Sequence, residues 1–155
     1  MSKETPTQEN ERNARRAIAR RRHQSVKRLY PIIFETHALR ITTRDDSSDD
    51  DDAIEVNVET HPSYILRDDG IGVRLRTRVT RSDCELTVDL AMHYEWDNEQ
   101  SWNDIDVSAF MWGFALPEAF GYQRPILDQM VTSLDLPSVT LTLNNFNEAA
   151  QANPA

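Results

Sequence analysis

The chain has 155 residues, a formal net charge of −9 and one cysteine, Cys84. That length fits one domain, a lone cysteine excludes an intrachain disulfide, and no apolar run approaches the roughly 20 residues of a membrane-spanning helix. The N-terminus is polar and then basic, without the apolar core of a signal peptide, so the expected compartment is the cytoplasm.

Charge is divided by position. Residues 1–44 hold 11 Lys+Arg against 4 Asp+Glu, a balance of +7, and residues 45–155 hold 6 against 22, a balance of −16. An acidic body keeps a sticky protein in solution and repels nucleic acid. A basic arm can fold against that body or meet another acidic surface.

In chain order, residues 1–25 form a basic N-terminal arm. Its stretch Glu11 to Ser25 is rich in Ala, Arg and Gln, which favour a helix. The apolar face is thin, Ala14 and Ile18, so the helix needs a neighbour to order it. Leu29 to Thr43 is rich in strand formers, with Pro31 suited to a strand start or an edge. The run Asp45 to Asp52, DDSSDDDD, repels itself and breaks structure. It lacks the spaced ligands and sharp Gly turn of a calcium loop.

Three strands follow with strict alternation. Their apolar faces are Ile54, Val56, Val58 and Thr60; then Ile71, Val73, Leu75, Thr77 and Val79; then Cys84 through Trp96 at every second residue. A turn at Asp68-Asp69 sets Leu66 opposite Ile71, Tyr64 opposite Val73 and Glu59 opposite Arg78. A loop over Thr80 to Asp83 sets Val79 opposite Cys84 and Leu75 opposite Val88, with Arg78 meeting Glu85 and Arg74 meeting Asp89. A one-residue slip would invert every side chain, so the meander is well specified, with one face buried and one wet.

Residues 97–109 read as a polar connection, and Phe110 to Leu116 as a dense apolar patch. A helix is expected from about Pro125, with Ile126, Leu127, Met130, Val131 and Leu134 at helical spacing. Pro137 stops it. Val139, Leu141 and Leu143 alternate with threonines and suit a short extended segment. The fold class is α+β: a four-stranded antiparallel sheet with one or two helices on one face.

No catalytic or metal-binding constellation emerges. His23, His37, His61 and His93 are scattered, and none pairs with another ligand at metal spacing. Cys84 falls on an apolar face and reads as a small buried hydrophobe. There is no nucleophile elbow and no Gly-rich phosphate loop. The expected protein is not an enzyme and takes no cofactor. Trp96, Trp102, Phe110, Trp112 and Phe114 cluster in a short stretch. Exposed aromatics of this kind mark surfaces for apolar partners.

The stretch Leu116 to Phe146 resembles the end of the bacterial export chaperone family SecB. Phe120, Tyr122 and Arg124 match its Phe-Pro-Tyr-x-Arg run, Leu136-Pro137 its apolar-Pro pair, and Asn145-Phe146 its terminal Asn-Phe. The central strands resemble the family's in length and alternation, and VKRLYPIIFETHAL resembles its first strand. The likeness spans residues 26–146, expected as one domain, with 147–155 as a disordered tail.

The resemblance implies a homotetramer, a dimer of dimers, with long apolar grooves that hold unfolded clients without ATP. It implies either export clients delivered to SecA or, in one branch, the antitoxin of a toxin–antitoxin pair. Gly121 stands where the family has proline. Residues 147–155 leave little room for the tail that docks on SecA, which points away from SecA as a partner. Client-binding residues are expected at Tyr64, Trp96, Trp102, Phe110, Trp112 and Phe146. Leu127, Met130, Val131 and Leu134 are assigned to subunit or core packing. The rival reading is a binding protein whose Arg-rich arm contacts nucleic acid or an acidic partner.

Overall fold

A computed structural model describes residues 6–28, 31–41, 56–96 and 100–137. Its centre is the meander β3 (Asn57–Arg67), β4 (Gly70–Arg81) and β5 (Cys84–Glu95), all antiparallel. Two shorter strands, β1 (Lys27–Arg28) and β2 (Ile32–Arg40), both pair antiparallel with β5 and share its outer side. The five strands therefore fill four lanes, ordered β1/β2, β5, β4, β3. The alternation seen in the sequence decides which side is buried. Val73, Leu75 and Val79 of β4 and Leu86, Val88, Leu90, Met92 and Tyr94 of β5 are fully buried on one face.

The β3–β4 register is the expected one: Leu66 lies opposite Ile71, Tyr64 opposite Val73 and Glu59 opposite Arg78. The β4–β5 register differs by two residues. The chain turns at Ser82-Asp83, so that Arg81 opposes Cys84, Val79 opposes Leu86 and Leu75 opposes Leu90. A shift of two preserves both faces, so alternation cannot distinguish the two registers. The tight turn is held by Arg81, whose guanidinium bonds both carboxylate oxygens of Asp83 and donates to the Pro137 carbonyl at 2.9 Å. That contact holds the Asp83 carboxyl below the ordinary carboxylate range. The expected ion pairs survive as diagonals: Arg78 to Glu85 at 2.9 Å, and Arg74 to Asp89 through two bonds of 2.9 and 2.7 Å. Arginine spans such diagonals easily. The opposite face is less wet than alternation suggested, since Asp89 and Thr87 are buried there.

The helix layer departs further from expectation. It begins inside the supposed polar connection, with α2 (Asp104–Phe110), runs through a π-helical turn (Met111–Ala115) and continues as α3 (Leu116–Ser133). Asn103 and Asp106 start α2 with a reciprocal capping box, each side chain accepting from the other's backbone N–H. Pro125, expected in a first helical turn, lies inside α3. Each proline of the layer follows a glycine by one turn, Gly113–Pro117 and Gly121–Pro125. Proline withholds the N–H that the carbonyl one turn earlier would accept and crowds that carbonyl. The layer nevertheless continues through both prolines. At the far end Leu136 donates to Val131 and Asp135, in the left-handed region at φ 55°, donates to Thr132. This is a Schellman stop, with Pro137 directly after it.

Leu127, Met130 and Val131 bury against the sheet, with Leu134 packed partly alongside. In this chain they are core. One buried polar side chain sets the helix's position. Gln123 accepts from the Thr77 hydroxyl at 2.6 Å and donates to the carbonyls of Leu75 and Val88 at 2.9 and 3.1 Å.

The N-terminal helix α1 (Pro6–Gln24) starts earlier than expected and docks on α2 and the π turn. Its thin apolar face buries only Ala19. The close approach is made possible by Gly113, where a Cβ would come within 2.7 Å of the Ala19 Cβ. The rest of the anchor is polar. Arg22 bonds Asp106 at 2.8 Å and the Ser101 carbonyl at 3.2 Å, and lies 5.2 Å over the Trp102 ring. Ser25 and Gln100 exchange further bonds beside it.

Expected segments at Ile54, the Asp45 to Asp52 run, Val139 to Leu143 and the 147–155 tail lie outside the described residues. Two predictions follow from the packing. Gln123→Ala should cost about 2–4 kcal/mol, because it orphans a buried hydroxyl and opens a cavity. Urea unfolding checks this as a lower midpoint at unchanged slope. The second concerns α1. The Arg22 hydrogen bond holds the Asp106 carboxyl below its ordinary range. A depressed carboxylate stabilises the fold above its unfolded value, near 3.9, and loses that contribution as pH falls through the folded value. Trp102 emission should therefore report release of α1 below about pH 4. Asp106→Asn should release α1 already at pH 7 and flatten that acid step.

Candidate functional site

Among the described residues the sheet has two open edges, and the one at β3 adjoins the helix layer. Pro62 in mid-strand is tolerated because β3 is outermost and its missing N–H interrupts no inner ladder. From β3, Pro62 and Tyr64 face Val107, Met111, Trp112 and Leu116 across a cleft of about 300 Å³. Tyr64 is 44% exposed and Trp112 is 39% exposed, and both line this cleft. Beyond them along β3, Ile65 and Leu66 are also exposed. The cleft thus combines a mainly apolar wall, with Asp104 at its lining, and a strand edge whose outer backbone groups have no strand partner among the described residues.

Trp112 owes its position to the π turn. The wider turn changes the phase of the helix, so that Met111 and Ala115 are buried while Trp112 stands out. Widened turns of this kind recur at binding sites. On its other side Trp112 borders a second cleft of about 730 Å³, between α1 and the π turn. Arg12, Arg15, Arg16 and Arg20 line it from α1, with Ala109 and Phe114 opposite. Phe114 is in turn stacked on His23, rings 4.3 Å apart. Ser108 and Trp112 belong to both clefts.

The remaining expected client residues sit elsewhere. Trp96, Trp102 and Phe110 are buried, and with Tyr94 they form a chain of rings at 5.0 to 5.3 Å. Trp96 donates to the Asp68 carbonyl at 2.7 Å and Trp102 to Gln100 at 3.0 Å. These rings join the β3–β4 turn, α2 and α1 and present little surface. Phe146 lies outside the described residues. Of the residues named from the sequence, the structure brings Tyr64 and Trp112 to one cleft, and sequence reading missed Pro62, Met111 and the arginines of α1 as neighbours of that site. The only advance signal was the basic arm itself, because a helix crossing at Gly113 leaves no local pattern.

The titratable groups serve structure. Burial pushes the Cys84 thiol up, away from the reactive thiolate. Tyr94 is buried, donates to Glu118 at 2.7 Å, and has its phenol pushed up by that burial. Glu118 also takes a hydrogen bond from Arg28, which ties β1 to α3. Among the described residues no cluster of His, Cys, Asp and Glu is arranged to hold a metal, and no helix is long and apolar enough to cross a membrane.

No family model and no curated protein matches the chain. Solved structures do. A SecB-like chaperone of Mycobacterium tuberculosis, Rv1957, solved with a ChAD peptide from the Rv1956 HigA1 antitoxin, is similar at a TM-score of 0.67 and 11% identity. The match covers 85% of this chain and 96% of that one. A Streptococcus agalactiae protein of unknown function is similar at a TM-score of 0.50 and 15% identity, covering 76% of this chain and 96% of that one. The likeness extends over most of this chain and nearly all of each neighbour at identities too low to carry more than architecture, and what it establishes is that this chain has the SecB-like fold.

Proposed function

We propose that the protein is an ATP-independent holdase that binds extended, apolar polypeptide segments. The observation that carries this reading is the Tyr64–Trp112 cleft beside the open edge of β3. An extended segment gains backbone hydrogen bonds from such an edge, while its alternate side chains fill the apolar wall. Binding needs no bond made or broken, no metal and no cofactor. The similar Mycobacterium tuberculosis chaperone was solved with an antitoxin peptide. That favours an antitoxin over exported preproteins as the client here, and SecA is not needed as a partner. The reading places the protein in the cytoplasm.

The opposite edge suits self-association. Ile32, Ile33 and Phe34 of β2 are more than half exposed there. A sticky edge of this kind invites pairing with a second copy. Several clefts on one oligomer would combine weak contacts through effective concentration.

The test is suppression of aggregation of a denatured protein without nucleotide, with mass measured in parallel. The expected result is an oligomer that suppresses aggregation with weak dependence on salt. Tyr64→Ala with Trp112→Ala should lower client affinity by about 2–4 kcal/mol, since both are exposed aromatic anchors. A monomer that leaves aggregation unchanged, or a double variant as effective as the parent, would sink the reading.

A further inference from the structure

The basic cleft on α1 calls for a ligand of its own. Arg15, Arg16 and Arg20 line it and form no salt bridge among the described residues. Arg16 and Arg20 stand one helical turn apart, where like charges destabilise the helix that holds them. Glu11 is the one acidic side chain lining the cleft among the described residues. This row stands on a helix whose own packing buries only Ala19. The ion pairs that do dock α1 use Arg21 and Arg22, on the side facing Asp106. Among the described residues the ion pairs that hold α1 do not use the row facing the cleft, and that row presents a positive wall.

The second observation is continuity. Trp112 and Ser108 line both this cleft and the apolar one beside β3. A segment lying along Pro62, Tyr64 and Met111 and passing over Trp112 enters the arginine row without leaving the surface. We propose that the two clefts form one path, and that the preferred client is an extended segment with an apolar stretch followed by an acidic one. The apolar stretch occupies the β3 side and its carboxylates meet Arg15, Arg16 and Arg20. This inference rests on the holdase reading and names the chemistry of its client. A peptide fits better than a polynucleotide. The path begins at a strand edge that recognises peptide backbone, and residues 45–155 carry a balance of −16 (6 Lys+Arg against 22 Asp+Glu), which repels a long polyanion.

The experiment uses the full chain and three labelled peptides that share one apolar half. Their second halves are rich in glutamate, in neutral serine and glutamine, or in lysine. Binding is followed by fluorescence anisotropy at low and physiological salt. The acidic-tailed peptide should bind about tenfold more tightly than the lysine-tailed one, with the gap narrowing as salt screens the exposed arginines. Combined Arg15→Gln, Arg16→Gln and Arg20→Gln should erase that gap. Glutamine keeps helix propensity, and Trp102 emission reports that α1 remains docked. Tyr64→Ala should weaken all three peptides.

Equal affinity for the three tails would overturn this inference and leave the holdase reading standing. Failure of every peptide to bind would overturn both. Acidic-tail binding that ignores Tyr64→Ala would separate the clefts and overturn the joined path. A single-stranded oligonucleotide that displaces the acidic-tailed peptide more effectively than unlabelled peptide does would assign the row to nucleic acid, and so would also overturn it.

Discussion

Everything in this molecule answers to the single apolar face of the β3–β4–β5 meander. Two hairpins fix which alternate residues point toward it, and β4 and β5 bury theirs completely. Such a face has no stable existence in water, and at about 25 cal/mol per Å² its burial outweighs the exposed ion pairs on the other side. One helix layer has to cover it. The length of that layer, its passage through two prolines and its buried Gln123 are all consequences of that demand.

The cover is incomplete by construction. The helix run packs on β5 and β4 and leaves β3 at the margin, so Tyr64 and Leu66 on its inner face stay exposed. The π turn adds Trp112 to the same margin. A binding cleft thus arises where coverage of the core runs out, and the open strand edge supplies hydrogen-bonding groups to the same place. The helix α1 then covers another part of the layer in a different way. It contributes little apolar area and is held by Arg22, Asp106 and the Ala19–Gly113 crossing. Such a helix can spend most of its surface on charge, which is how an arginine row comes to border Trp112.

The aromatic cluster illustrates how sequence composition divides between architecture and site. Trp96, Trp102 and Phe110 looked equivalent to Trp112 as a run of large rings near polar residues. The structure separates them. Trp96 and Trp102 find acceptors for their indole N–H groups and close the end of the sheet, while Phe110 meets Tyr94 and Trp102 edge to face. Trp112 lies on the far side of a widened turn and has an open cleft on each flank. No local pattern marks a π turn, so no local reading could have set these four apart.

By itself the sequence determined the fold class, the three long strands, the face each buries, the β3–β4 register and the stop at Pro137. These follow from period-2 alternation and turn chemistry, which act between near neighbours. It also showed that opposite charges would meet across β4 and β5, though it made the turn two residues too long, because alternation is blind to a shift of two. Only the tertiary structure decided that the 97–109 stretch starts a helix, that Pro125 lies within one, and that α1 docks at Gly113. The same holds for the meeting of Tyr64, Trp112 and the arginines around two joined clefts. Those outcomes depend on contacts between segments distant in the chain, and a contact of that kind exists only once the sheet's apolar face has drawn the helices over it.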